Sequence, residues 1–230
     1  MRPQPDEVDI VCYYADLGRP YLPLIEQMTS SAKRAMPWCR TVLMSPTPSA
    51  DLDRLFDKTI DISAHLRTTE KTVCYDRAVS TVSWQSQTKR RTIYADPDIE
   101  FHRPVEFDGS FDVGLLWRKR KPDQPINTGI VLAEPGHLEF WRNYGAVAAN
   151  LPMPLRSWWC DQLAFNVLLG VMHKAGDVIP AYDARVKLFS MTDHCTPREK
   201  ATTENPWAWH DKGKRKWGGS DVKPICEVAA

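Results

Sequence analysis

Two carboxylates one residue apart end a short apolar run, where Thr92-Ile93-Tyr94-Ala95 leads directly into Asp96-Pro97-Asp98. Side chains so placed project into a shared space, and like charges that close need a cation or a large pKa shift. Hard carboxylate oxygens suit Mg²⁺, Mn²⁺ or Ca²⁺. An acidic turn looks the same, because Asp-x-Asp recurs by chance. Pro97 fixes its own φ and turns Asp96 away from the α region, which stiffens a ligand loop and an ordinary turn equally.

A second group lies near the C-terminal end, in His210-Asp211-Lys212-Gly213-Lys214-Arg215-Lys216-Trp217. Imidazole can complete a metal's coordination, glycine lets backbone approach a phosphate, and lysine neutralises a leaving group. Taken alone, the stretch also reads as a basic, solvated tail. Three further features are weak singly. Asn127-Thr128-Gly129 opens an apolar strand or makes a turn. Asp161-Gln162 begins a helical stretch, where the macrodipole already favours an acid. Arg77 emerges from an apolar helical stripe, as a guanidinium does when it partners a carboxylate, with Asp96 and Asp98 the candidates.

The elements that must position these groups follow from periodicity. Val8 to Ala15 is a strand ending at the turn Asp16-Leu17-Gly18, and Tyr21 to Met36 has helical spacing that stops before Pro37. Thr41–Ser45 and Thr59–Ile62 are strands, with a short helix over Asp51–Phe56 between them. Thr72–Gln87 is a helix, Thr92–Ala95 a buried strand, and Phe111–Trp117 and Ile126–Ala133 two more strands. His137–Leu151 and Cys160–Met172 are helices. Beyond Asp177 the chain is expected to be irregular, with an edge strand over Val178–Tyr182. Alternation of strand and helix predicts an α/β fold with a mostly parallel central sheet flanked by helices. Ligands in such folds gather at the carboxyl ends of strands, where Asp16 and Asp96 fall.

Length and composition set the bounds. At 230 residues and 43% apolar content the chain is expected to form one α/β domain. A net charge of +1 demands no nucleic acid or acidic partner. Local basic clusters (Lys89-Arg90-Arg91 and Arg118-Lys119-Arg120-Lys121) read as solvated faces or as polyanion contacts. Six scattered cysteines without a Cys-x-x-Cys pair favour a reducing compartment. Met1–Glu7 holds no apolar signal core, and no window approaches the roughly 20 apolar residues of a membrane span, so a soluble, cytoplasmic protein is expected.

In their order along the chain, these features resemble the GT-A nucleotide-sugar glycosyltransferases. Within them the likeness is to the retaining family-eight group of glycogenin, galactinol synthase and bacterial lipopolysaccharide galactosyl- and glucosyltransferases. The likeness rests on Asp9-Ile10-Val11 reaching Asp16, Arg77, Tyr94-Ala95-Asp96-Pro97-Asp98, Asn127-Thr128-Gly129-Ile130-Val131-Leu132, and Asp161-Gln162-Leu163 with Asn166. The closing His210, Gly213, Lys216 and Trp217 lack the family's proline before the tryptophan.

The resemblance implies a single domain over 1–230. Its nucleotide-binding half spans 8–100, its sugar and acceptor half with the closing motif 101–217, and its tail 218–230. It implies Asp96, Asp98 and His210 as metal ligands, Gly213 and Lys216 at the diphosphate, and Asn127, Asp161 and Gln162 at the sugar and reaction centre. Arg77 joins the donor-binding set, and Tyr13 and Asp16 lie near base or ribose. The donor implied is a UDP-sugar, UDP-glucose or UDP-galactose first, with Mn²⁺ preferred and Mg²⁺ as the alternative. The acceptor is a hydroxyl of a saccharide, a protein, or a hydroxymethylated base in viral DNA. Rival readings are a nucleotidyltransferase, which lacks its glycine-rich loop here, a nucleic-acid-binding module, and an inactive sugar-nucleotide binder.

Overall fold

The computed structural model describes residues 8–18, 21–66, 68–119, 121, 123–156, 159–170, 173–196 and 206–210. The chain opens β1 (Val8–Tyr13), α1 (Leu22–Ala35), β2 (Arg40–Ser45), α2 (Ala50–Asp53), β3 (Lys58–Asp61), α3 (Val73–Gln85) and β4 (Arg91–Ala95). It continues through β5 (Ile99–Phe101), β6 (Val113–Trp117), β7 (Ile126–Ala133), α4 (Leu138–Asn150) and α5 (Cys160–Leu169). It closes with β8 (Val178–Ala181), β9 (Ala184–Ser190), α6 (Met191–His194), β10 (Cys195–Thr196) and β11 (Ala208–His210).

Eight strands form one sheet in the order β3-β2-β1-β4-β7-β6-β9-β8, so the chain's first half supplies one side of the sheet and its second half the other. β3, β2, β1 and β4 are mutually parallel; β7 runs against both β4 and β6, and β8 against β9. The sheet is therefore mostly parallel, as expected, with β7 and β8 reversed.

Both faces are covered, which is why the strands read as near-continuous apolar runs. Along β1, Ile10 and Cys12 face one core with Ile25 and Met28 of α1, while Val11 and Tyr13 face a second core with Trp141, Tyr144 and Phe165. Tyr144 stacks on Phe165 at 4.1 Å between ring centroids, pinning α4 to α5. Among the described residues no helix is long and apolar enough to cross a membrane.

Two expectations for the second half need correction. Among the described residues beyond Asp177 the chain is not irregular at 184–190, because β9 is an interior strand of the sheet, parallel to β6. Its buried Ala184, Val186 and Leu188 alternate with Arg185 and Lys187, which pair with Asp112 and Asp108. That alternation is itself the period-2 signature of a strand, so β9 was legible locally and only its interior place in the sheet was not. The helix expected to reach Met172 ends at Leu169, where Gly170 takes φ 77°. A second, three-stranded sheet, β10-β11-β5, had no counterpart in the sequence reading.

Candidate metal and donor site

β4 delivers Asp96 at its carboxyl end, and the Asp96–Asp98 turn is closed by the Ile99 N–H donating to the Asp96 carbonyl at 3.2 Å. That turn feeds β5, whose antiparallel partner is β11. The register sets His210 opposite Ile99, and so beside Asp98. The result is a cluster of Asp96, Asp98 and His210 in which one donor atom from each lies within 4.8 Å of the others. His210 Nε2 stands 3.3 Å from Asp98 Oδ1 and 3.6 Å from Asp96 Oδ2.

Donors bound at about 2.1 Å and roughly 90–110° apart on a divalent ion lie about 3.0–3.5 Å from each other, so the spacing fits one ion. The side chains of Asp98 and His210 are 3% and 4% exposed and that of Asp96 is 23% exposed. His210 Nδ1 is buried and finds no hydrogen-bond partner among the described residues.

β7 supplies the floor. Its ladder with β6 jumps: Leu115 pairs with Val131, but Leu116 pairs with Asn127, so Thr128, Gly129 and Ile130 bulge from that ladder. The bulge brings the Thr128 carbonyl to Arg77 and the Gly129 backbone under His210. A Cβ on Gly129 would sit 2.7 Å from His210 Cε1, 2.8 Å from Nδ1 and 2.9 Å from Asn127 Oδ1. Asn127 Oδ1 itself accepts from the Gly129 N–H at 3.1 Å. Gly129→Ala is therefore expected to push His210 off its position, weakening any divalent-ion binding at the cluster about 10–100-fold and costing about 1–3 kcal/mol of stability. Calorimetric titration with Mn²⁺ checks it; an unchanged affinity would mean that the ring tolerates displacement.

Arg77 and Asp161 form the support behind the cluster. Arg77 Nη1 donates to Asp96 Oδ1 at 2.5 Å and lies 3.3 Å from Asp161 Oδ2, and Nη2 donates to the Thr128 carbonyl at 2.6 Å. Asp161 Oδ2 accepts from Thr128 Oγ1 at 2.7 Å, and Oδ1 accepts from the Gln162 N–H in the first turn of α5. Burial pushes the Asp161 carboxyl above the usual carboxylate range, opposed by Arg77 and Thr128. Burial also disfavours charge on Arg77, but Asp96 and Asp161 outweigh it and hold the guanidinium above its ordinary value. Arg77 thus partners a carboxylate as expected, and Asp161 as well as Asp96.

The structure gathers Asp96, Asp98, His210, Arg77, Asn127, Asp161 and Gln162 at one end of the sheet. Tyr13, at the end of the neighbouring β1, spans to Thr68 through its hydroxyl at 2.9 Å. Asp16 is exposed and accepts from the Gly18 N–H across its own turn. Gly213, Lys216 and Trp217 lie outside the described residues.

Two groups at the site carry no sequence signal for a role there. Thr128 was visible only as part of a turn-like motif. Arg118 belongs in sequence to a basic cluster, yet it is half-buried and bound to Gln162. Arg90 and Arg91 are likewise engaged within the fold, with Asp9 and Glu134.

No protein-family model matches the chain, and no curated protein matches it. Solved structures do. The crystal structure of a glycosyltransferase involved in the glycosylation of the major capsid of PBCV-1 superposes with a TM-score of 0.58, over 91% of this chain and 96% of that one. At 11% identity the likeness is one of fold: the chain shares the α/β fold of that glycosyltransferase, and the likeness does not single out family eight.

Proposed function

We propose that this chain is a glycosyltransferase that moves a hexose from a nucleoside-diphosphate donor to a hydroxyl acceptor. UDP-glucose or UDP-galactose is the proposed donor, and the outcome is retention at the anomeric carbon. The observation that carries the reading is the Asp96, Asp98 and His210 cluster, built from two distant chain segments at the strand ends of a glycosyltransferase-type fold. Cleaving the bond from the anomeric carbon to the phosphate oxygen leaves negative charge on the diphosphate. A divalent ion held by these three residues would stabilise that charge, with Mn²⁺ favoured over Mg²⁺ by the imidazole.

The chain's own residues do the rest. Arg77 fixes Asp96 and Asp161 in place. Gly213 and Lys216, three and six positions after His210, are proposed to take the diphosphate. Asn127, Asp161 and Gln162 are proposed to line the sugar, and Tyr13 and Asp16 the nucleoside. Both oxygens of Asp161 are committed to partners inside the fold, which argues against its acting as a nucleophile. Retention then follows from front-face attack by the acceptor hydroxyl, its proton passing to the departing phosphate. With Arg90, Arg91 and Arg118 engaged internally, a saccharide hydroxyl suits the site better than duplex DNA.

The test is release of nucleoside diphosphate from a panel of UDP- and other nucleotide sugars without acceptor. One donor is expected to turn over slowly with Mn²⁺, to stop with a chelator and to resume on adding Mn²⁺ back. No release, together with no metal-dependent donor binding by calorimetry, would leave the chain as a member of the fold without this activity.

A further inference from the structure

Gln162 is the polar group of the α5 first turn whose two ends have different surroundings. Its side-chain Oε1 accepts from Arg118 Nη2 at 2.7 Å. A guanidinium carries five N–H donors and no acceptor, so the amide atom facing Arg118 must be the oxygen. Arg118 is itself anchored: Nε donates to the Gln124 carbonyl at 2.9 Å and Nη2 also donates to the Ile126 carbonyl at 2.7 Å. The Arg118 backbone N–H donates to the Pro125 carbonyl at 2.7 Å, closing the loop that carries it. The fork therefore presents a fixed face to Gln162. With Oε1 taken, the Gln162 Nε2 amide has no hydrogen-bond partner among the described residues.

The Asp161 carboxylate and the Thr128 carbonyl beside it are already committed. Asp161 is held by Arg77, Thr128 and the Gln162 N–H, and the Thr128 carbonyl by Arg77. The group this turn leaves for a ligand is an N–H donor.

Resting on the glycosyltransferase reading above, we propose that Gln162 acts as a hydrogen-bond donor through Nε2. Its target is an acceptor oxygen of the bound donor, on the transferred sugar or on the phosphate it leaves. Arg118 is the positioning residue that turns the amide this way. The opposite chemistry, attack by Gln162 Oε1 on the anomeric carbon, is disfavoured by the same contact. A cation hydrogen-bonded to that oxygen withdraws electron density from it and occupies one of its lone-pair directions. A fixed N–H aimed where negative charge develops stabilises the transition state, without reorganisation when the bond breaks.

The test uses the full chain with Mn²⁺ and the nucleotide sugar that turns over, comparing Q162A, Q162E, R118A, R118K and the R118A/Q162A double variant. Q162A and R118A are each expected to lower kcat for donor hydrolysis about 100-fold, the scale of one lost transition-state donor, with KM within about threefold. Q162E should fare no better than Q162A, because its carboxylate offers no N–H. R118K, which keeps a donor without the fork, should recover part of the loss. The double variant should be no worse than Q162A, since Arg118 acts through Gln162.

Wild-type turnover in Q162E, a hexose adduct on Q162E or R118A by intact mass, or multiplying effects in the double variant would each overturn the proposal. A wild type that neither turns over a donor nor binds one in the presence of metal would overturn the glycosyltransferase reading and the donor role of Gln162 with it. The positioning half is then decided by NMR. The Gln162 side-chain amide, assigned by its loss in Q162A, should be rigid in the wild type and mobile in R118A. Equal mobility in both would overturn the positioning role.

Discussion

Asp98→Ala is expected to remove metal-dependent donor turnover while leaving the fold standing. Asp98 is nearly fully buried and lies 3.3 Å from His210 Nε2, so its carboxylate is one of three groups that define the ion's position. Two ligands and water hold a divalent ion far more weakly, and the charge that stabilises the leaving diphosphate is then missing, a loss on the order of 10²–10³-fold in kcat by analogy with other preorganised charges. The same variant separates binding from folding. At a Mn²⁺ concentration about 100 times its dissociation constant, linkage stabilises the wild type by about 2.7 kcal/mol. For a domain of this size that is a rise in Tm of roughly 5–10 °C. Asp98→Ala should unfold near the metal-free wild-type temperature and show no rise with Mn²⁺. A variant that still gained several degrees would place the ion elsewhere.

Arg77→Met is expected to have the largest effect on stability. The guanidinium, 16% exposed, stands between Asp96 and an Asp161 carboxylate that is 3% exposed. Methionine fills similar space but leaves Asp161 buried with no cation, and breaking a buried pair in this way costs about 3–5 kcal/mol. Thermal unfolding should fall by roughly 6–20 °C. Because the cost comes from the abandoned charge, Arg77→Met/Asp161→Asn should recover at least about half of it, a coupling of the size seen for contacting residues. A single variant that costs less than about 1 kcal/mol, or a double variant worse than the single, would show that the pair does not act as a unit.

Many of the residues that the fold gathers at the candidate site were legible in the sequence, and for identifiable reasons. Asp96-Pro97-Asp98 ends an apolar strand, and strand ends in such sheets are where ligands gather, so local pattern and fold class pointed to one place. Arg77 announced itself as a charge in an apolar stripe. Asn127-Thr128-Gly129 and Asp161-Gln162 gained weight from their order along the chain, as did His210. The central strands were readable because burial on both faces makes them continuous apolar runs, as in β1, β4 and β7.

What the tertiary structure alone decided is of a different physical kind. β5 and β11 are three residues each, too short for any periodicity, yet their register is what sets His210 beside Asp98. Gly129 is an ordinary turn glycine until the β7 bulge brings it under the His210 ring, where a methyl group has no room. β9 alternates apolar and charged residues as a strand should, but its place between β6 and β8 depends on pairing with a segment about 70 residues away, and Arg185 and Lys187 meet their carboxylates only there. Arg118 looked like one cation in a solvated run, and its contact with Gln162 spans a separation in sequence that no local pattern encodes. Residue types and their spacing determined which chemistry the chain could carry. Long-range register and close packing decided which atoms face one another, because those depend on contacts between segments that the sequence keeps far apart.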